Sequence, residues 1–352
     1  MKNLKKICAA VAAVSLTAAM FVGCSDKSSE SESGSKADIS ATEAEVNNGE
    51  SSESSETSDS SEAPTGEPED DEDYTTGDAS LDNVRNEDGI GDNELLVLSF
   101  GTSYNDSRRL TIGAIEGAIE DAVPDYSVRR GFTANIVIDH VNRRDGILID
   151  DIDAALKRAV DNGVKNLVVQ PTHLMNGIEY DEIIEKVAGY SDAFDKVVFG
   201  EPLLTSDDDF KRVENAIVDW TSEYDDGETA ICFMGHGTEH EANQVYQKMQ
   251  DMLTADGHTN YFVGTVEAEP SLEDVLAQVK EGNYKRVILE PLMVVAGDHA
   301  NNDMAGDEED SWKSAFEAEG FQVECLLRGL GENEEIRKIY VEHAQAAIDS
   351  IE

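Results

Sequence analysis

Two imidazoles and a carboxylate stand where three apolar runs end. His236 lies in Met234-Gly235-His236-Gly237, Glu267 closes Gly264-Thr265-Val266-Glu267, and His299 lies in Ala296-Gly297-Asp298-His299-Ala300-Asn301-Asn302-Asp303. Two His and one carboxylate, with positions left open, suit a divalent transition metal; Co²⁺, Ni²⁺, Fe²⁺ and Zn²⁺ all accept such ligands. Each residue also has a plainer reading. His236, between two glycines, can cap the following helix. Glu269, two residues past Glu267, shares its face only while the strand continues. Asp298 either orients the His299 ring or faces solvent. His240, four residues past His236, is expected at a helix terminus or behind the site. His173, in Gln170-Pro171-Thr172-His173, either lines a facing wall or is a satisfied loop residue. His140, His258 and His343 are read as surface. It is the placing of three candidates at three strand ends that raises their joint weight.

The elements that must position them are legible as a rhythm. Apolar, β-rich runs fall at Leu95 to Phe100, Ser127 to Phe132, Asn166 to Gln170, Lys196 to Phe199, Ala230 to Met234, Tyr261 to Val266, Arg286 to Glu290 and Gln322 to Leu326. Most are continuous rather than alternating, as strands buried on both faces are. Helical patterns lie between them, as in 108–122, 149–162, 213–224, 242–253 and 272–280. Such alternation predicts right-handed βαβ crossovers and an α/β fold with parallel sheets. Parallel strands end on the same edge, where ligands of open α/β sheets bind. The rhythm repeats, with four strands in each half and a Gly turn after the first strand of each. Two lobes are therefore expected, 94–227 and 228–352, with the last helix packing back on the first lobe. A single eight-stranded sheet is the competing arrangement.

The front of the chain has another character. Lys2, Lys5 and Lys6 precede an apolar stretch, Ile7 to Val22, too short to favour a permanent span. Gly23-Cys24 follows, as in a lipoprotein cleavage box. Residues 1–24 are therefore expected to be a lipoprotein signal, with Cys24 lipidated and the protein anchored outside the cytoplasm at the cell membrane. Residues 25–93 are rich in Ser, Glu and Asp and are expected to be a disordered acidic linker. Cys232 and Cys325 lie in apolar runs and read as small core residues; a bridge between them stays open. The formal net charge of −48 excludes nucleic acid as a partner. No P-loop, dinucleotide glycine fingerprint or Gly-x-Ser-x-Gly elbow is present.

The folded region resembles the anaerobic cobalt chelatases, the sirohydrochlorin cobaltochelatases, within the ferrochelatase-like class. The segments that carry the resemblance run in order. They are Leu98-Ser99-Phe100-Gly101-Thr102-Ser103-Tyr104, Arg130-Gly131-Phe132-Thr133-Ala134-Asn135, Val169-Gln170-Pro171-Thr172-His173 with Gly177-Ile178-Glu179-Tyr180, and the three segments above. The resemblance implies two chelatase-like lobes, each a parallel four-stranded sheet flanked by helices, with a tetrapyrrole cleft between them. It implies that His236, Glu267 and His299 are both the metal ligands and the catalytic residues. The implied reaction inserts Co²⁺, as substrate metal, into sirohydrochlorin in the anaerobic pathway of cobalamin synthesis. Sirohydrochlorin is a polycarboxylate, so Arg108, Arg109, Arg129 and Arg130 are expected to hold it. The alternative is a non-catalytic surface lipoprotein that binds a tetrapyrrole, haem or corrinoid, or a divalent metal.

Overall fold

The computed structural model describes residues 76–351. The signal, Cys24 and most of the acidic linker lie outside the described residues.

Eight strands form two sheets. The first holds β1 (Asn93–Ser99), β2 (Ser127–Phe132), β3 (Asn166–Pro171) and β4 (Lys196–Phe199) in the order β2-β1-β3-β4. The second holds β5 (Thr229–Gly235), β6 (Tyr261–Thr265), β7 (Arg286–Pro291) and β8 (Gln322–Cys325) in the order β6-β5-β7-β8. All pairings are parallel. The single eight-stranded sheet is thereby ruled out. β1 and β5 are central and almost wholly buried, which is why they read as unbroken apolar runs.

Helices fill the crossovers: α1 (Asn105–Leu110), α2 (Ile112–Ala122), α3 (Asn135–Asp145), α4 (Ile152–Asn162), α5 (Ile178–Tyr190), α6 (Asp207–Thr221), α7 (Gln244–Ala255), α8 (Leu272–Glu281), α9 (Trp312–Ala318) and α10 (Glu334–Asp349). Their ends carry the expected chemistry. Ser206 with Asp209, and Ser271 with Asp274, form reciprocal caps on α6 and α8. Gly163 ends α4 in the left-handed region at φ 75°. The helix expected over 108–122 is broken at Thr111, whose hydroxyl turns back to the Ser107 carbonyl.

One apolar cluster joins the inner faces of both sheets, with Leu95 and Val97 from one and Ile231 and Phe233 from the other. α10 returns to the first lobe. The Tyr340 hydroxyl donates to the carbonyls of Thr172 at 2.9 Å and His173 at 3.2 Å. His343, expected at the surface, is instead wedged there. Its two ring nitrogens lie 3.0 Å from the Glu201 carbonyl and 3.1 Å from the Asp209 carboxylate. A helix that docks across a lobe turns one polar residue inward, and pattern alone does not show which.

One further expectation changes, and one open question closes. Order begins well before residue 94: Thr76 and Arg85 are buried, and a short helical turn spans Ala79–Leu81. Segment 76–92 is bound along the first lobe by specific pairs that composition does not register. Cys232 and Cys325 are both free, and both are paired in register with Leu289 from opposite sides. Two strand spacings, about 9.6 Å, separate them, beyond the reach of a disulfide.

Glu94, at the start of β1, is 2% exposed, and its Oε2 has no hydrogen-bond partner. Burial pushes its carboxyl from 4.5 up to about 7. The folded state therefore binds this proton more tightly than the unfolded chain. The stabilisation is complete below 4.5 and is lost as pH rises through about 7. Glu94→Gln mimics the protonated form at every pH. Thermal melts should show it more stable than the parent by up to roughly 3 kcal/mol at alkaline pH, and nearly equal at acidic pH. An equal shift at both would refute this assignment.

Candidate metal centre

His236 is the first residue after β5, Glu267 the second after β6, and His299 follows the loop that leaves β7. Parallel strands put these ends on one edge. The Glu267 N–H donates to the His236 carbonyl at 2.8 Å, which locks the two loops side by side. One ligand atom from each of His236, Glu267 and His299 lies within 4.8 Å of the others. His236 Nε2 is 3.7 Å from Glu267 Oε1, and the two imidazole rings meet edge to face with centroids 4.7 Å apart.

The tautomers follow from the partners. His236 Nδ1 lies 2.7 Å from the Gly237 carbonyl, which can only accept, so Nδ1 carries the proton. His299 Nδ1 lies 2.8 Å from the Asp303 carboxylate and is a donor for the same reason. Both Nε2 atoms are left with lone pairs for a metal. All three side chains are partly exposed, at 43%, 55% and 34%. Three groups that could each give one ligand, open to solvent, would leave free positions on a bound ion.

The structure settles the open readings of the residues around them and corrects one, that of the arginines. Asp298 does not orient His299; it accepts from the Asn302 side chain, and Asp303 takes the orienting role. The turn Ala300–Met304 is a π-helix that follows His299 and carries its i+4 partner Asp303. Glu269 has left the strand, since β6 ends at Thr265, and its carboxyl meets Asp274. His240 sits at a helix terminus, where its Nδ1 accepts from the Ala242 N–H at 3.1 Å. The arginines expected to hold carboxylates are already committed. Arg108 and Arg130 are buried against Asp82 and Glu116, Arg129 faces Glu87, and Arg109 pairs with Asp106. A buried guanidinium needs its counter-charges permanently in place.

The two lobes superimpose by register. Leu98 pairs with Pro171 as Met234 pairs with Pro291, and Ser99 pairs with Phe132 as Gly235 pairs with Thr265. The hydrogen bonds repeat too: Ala134 N–H to the Phe100 carbonyl matches Glu267 N–H to the His236 carbonyl. Asp181 N–H to the Gly177 carbonyl matches Asn301 N–H to the Gly297 carbonyl. The counterparts of His236, Glu267 and His299 are thus Phe100, Ala134 and Glu179. One lobe presents metal ligands; the other presents an aromatic ring that is 49% exposed and a single carboxylate.

Glu179 was not singled out from the sequence. The signal was there, since Glu179 follows Pro171, and His299 follows Pro291, at equal spacing. The Glu179 charge acts on Tyr246 of the second lobe and on His173. Both His173 ring nitrogens are shut off from water without partners, and burial pushes the imidazole down to about 4. It is neutral at physiological pH.

The chain is similar to known proteins. The sirohydrochlorin cobaltochelatase of Salmonella typhimurium is 37% identical over 255 residues, covering 72% of this chain and 96% of the relative. The sirohydrochlorin cobaltochelatase CbiKC of Nitratidesulfovibrio vulgaris is 30% identical over 264 residues, covering 73% and 91%. Among solved structures, SirB from Bacillus subtilis with Fe³⁺ shares the fold at a TM-score of 0.52 and 12% identity, over 74% of this chain and 98% of that one. The family model described as cobalt chelatase (CbiK) matches residues 93–349, and the chain belongs to that family.

Proposed function

We propose that this protein is a sirohydrochlorin cobaltochelatase, which inserts Co²⁺ into sirohydrochlorin. The observation that carries the reading is the convergence of His236, Glu267 and His299 at one strand edge within a cobalt chelatase fold. The three side chains hold the substrate ion through two Nε2 lone pairs and one carboxylate. Insertion exchanges these ligands for ring nitrogens, and two pyrrole N–H protons must leave. Glu267 and the imidazoles accept protons as they release the metal, since one lone pair cannot bind both at once. On the other lobe Phe100 offers an apolar surface to the macrocycle, and Glu179 offers a second carboxylate as proton acceptor. The two relatives carry the substrate assignment; nothing found favours the binding-only alternative.

Turnover decides between the two. Catalytic amounts of the full chain, given sirohydrochlorin and Co²⁺, are expected to metallate many equivalents of ring, read by the change in visible absorbance. A spectral change that stops at one equivalent would overturn the enzyme reading.

We further propose that Cys24 is lipidated and holds the chelatase outside the cytoplasm at the cell membrane. The basic start, the short apolar stretch and Gly23-Cys24 support this. Cys24→Ala should abolish labelling by a fatty-acid probe and release the protein from the membrane fraction. Retention with undiminished label would place the anchor elsewhere.

A further inference from the structure

We infer that segment 76–90, which precedes the family match at residue 93, is a strap that positions the His299 loop through Asp82. The inference rests on the metal-site reading above. Within the matched region Arg108, Arg130 and Glu116 form a buried group of two guanidinia and one carboxylate. The second counter-charge comes from the strap. Asp82 accepts from Arg108 Nε at 2.7 Å and from Arg130 Nη1 and Nη2 at 2.7 and 3.1 Å. The strap also clamps the start of α1, where the Thr76 carbonyl accepts from the Asp106 N–H at 2.7 Å.

α1 also meets the loop that leads to His299. Arg108 Nη1 donates to the Thr102 carbonyl at 3.0 Å, so the Asp82 partner also fixes the loop after β1. That loop abuts the His299 loop: a Cβ placed on Gly297 would stand 3.1 Å from Thr102 Oγ1. The Ala296 N–H donates to Ser107 Oγ at 3.0 Å. Ala296 and Gly297 lead directly into His299. α1 is therefore held by the strap on one side and holds the His299 loop on the other. Without the Asp82 charge, Arg130 and Arg85 share Glu116, Arg108 keeps only the more distant charge of Asp145, and the repulsion among these guanidinia moves α1 and Thr102. A ligand set tolerates only sub-ångström displacement of its members.

Asp82 is thus a positioning residue, and the test reads the metal site rather than stability alone. Full-length Asp82→Asn is titrated with Co²⁺ alone, in the cold, with circular dichroism as the check on folding. Binding about tenfold weaker than in the parent, with an altered visible spectrum, is expected. Asp82→Glu should recover part of the loss, and Asp88→Ala, which breaks only an exposed pair with Arg158, should behave as the parent. A lower melting temperature with the parent's Co²⁺ affinity and spectrum would overturn the proposal. Should Asp82→Asn not fold, Ser107→Ala takes its place, since it removes the Ala296 contact and leaves the buried charges alone. It too should weaken Co²⁺ binding, and unchanged affinity would overturn the proposal. His236→Ala run in parallel separates the two readings: Co²⁺ binding indifferent to it removes the site itself, and the strap's role with it.

Discussion

His236→Ala and His299→Ala are each expected to lower the rate of Co²⁺ insertion by about 10²- to 10³-fold while the fold survives. In the proposed site three side chains hold the ion, and removing one leaves two. Neither imidazole supports the core: the side chains are 43% and 34% exposed, and each bonds only to its own loop. Circular dichroism and melting temperature should therefore stay near those of the parent. Glu267→Gln keeps the shape but loses charge and basicity, so its loss should be smaller. Glu269→Gln serves as the control, because that side chain is turned toward Asp274. Insertion rates unchanged by both His substitutions would remove the assignment of these residues, whatever the substrate.

The largest effect on stability is expected from Arg130→Met. This guanidinium is 1% exposed and bridges Glu116 and Asp82 through four hydrogen bonds between 2.7 and 3.1 Å. Met fills much of the space but cancels no charge. Two buried carboxylates then depend on Arg108 and Arg85, and the loss should be about 3–5 kcal/mol. Thermal unfolding should show this as a fall of roughly 10 °C. Arg130→Met combined with Glu116→Leu should recover part of it, because Asp82 then keeps Arg108 and Arg85 keeps Glu120, with no buried carboxylate left unpaired. A single substitution that melts with the parent would show that water reaches this network.

The two lobes share a topology but not a chemistry. Register equates His236 with Phe100 and His299 with Glu179, so equivalent positions carry two imidazoles in one lobe and an aromatic ring and a carboxylate in the other. The acidic chain also has no free arginine where four were expected. In this structure Arg108 and Arg130 are built into the buried network of the first lobe, and Arg109 and Arg129 pair with exposed carboxylates.

The sequence by itself showed the eight strands, their parallel direction, and the placing of His236, Glu267 and His299 at strand ends on one edge; the strand order and the split into two sheets came from the structure. The first three depend on patterns that act locally. A strand buried on both faces must be apolar throughout, and parallel strands must end on one edge. What the tertiary structure alone decided were pairings between distant or nearly equivalent groups. Asp303 rather than Asp298 holds His299, because the backbone turn that follows, not adjacency in sequence, sets which carboxylate reaches Nδ1. Cys232 and Cys325 stay apart because β7 lies between them. Arg108 and Arg130 are buried because Asp82 reaches them from a segment whose composition reads as spacer. Composition averages over many residues, whereas a buried charge needs only one well-placed partner, and its position is known only once the chain has folded back.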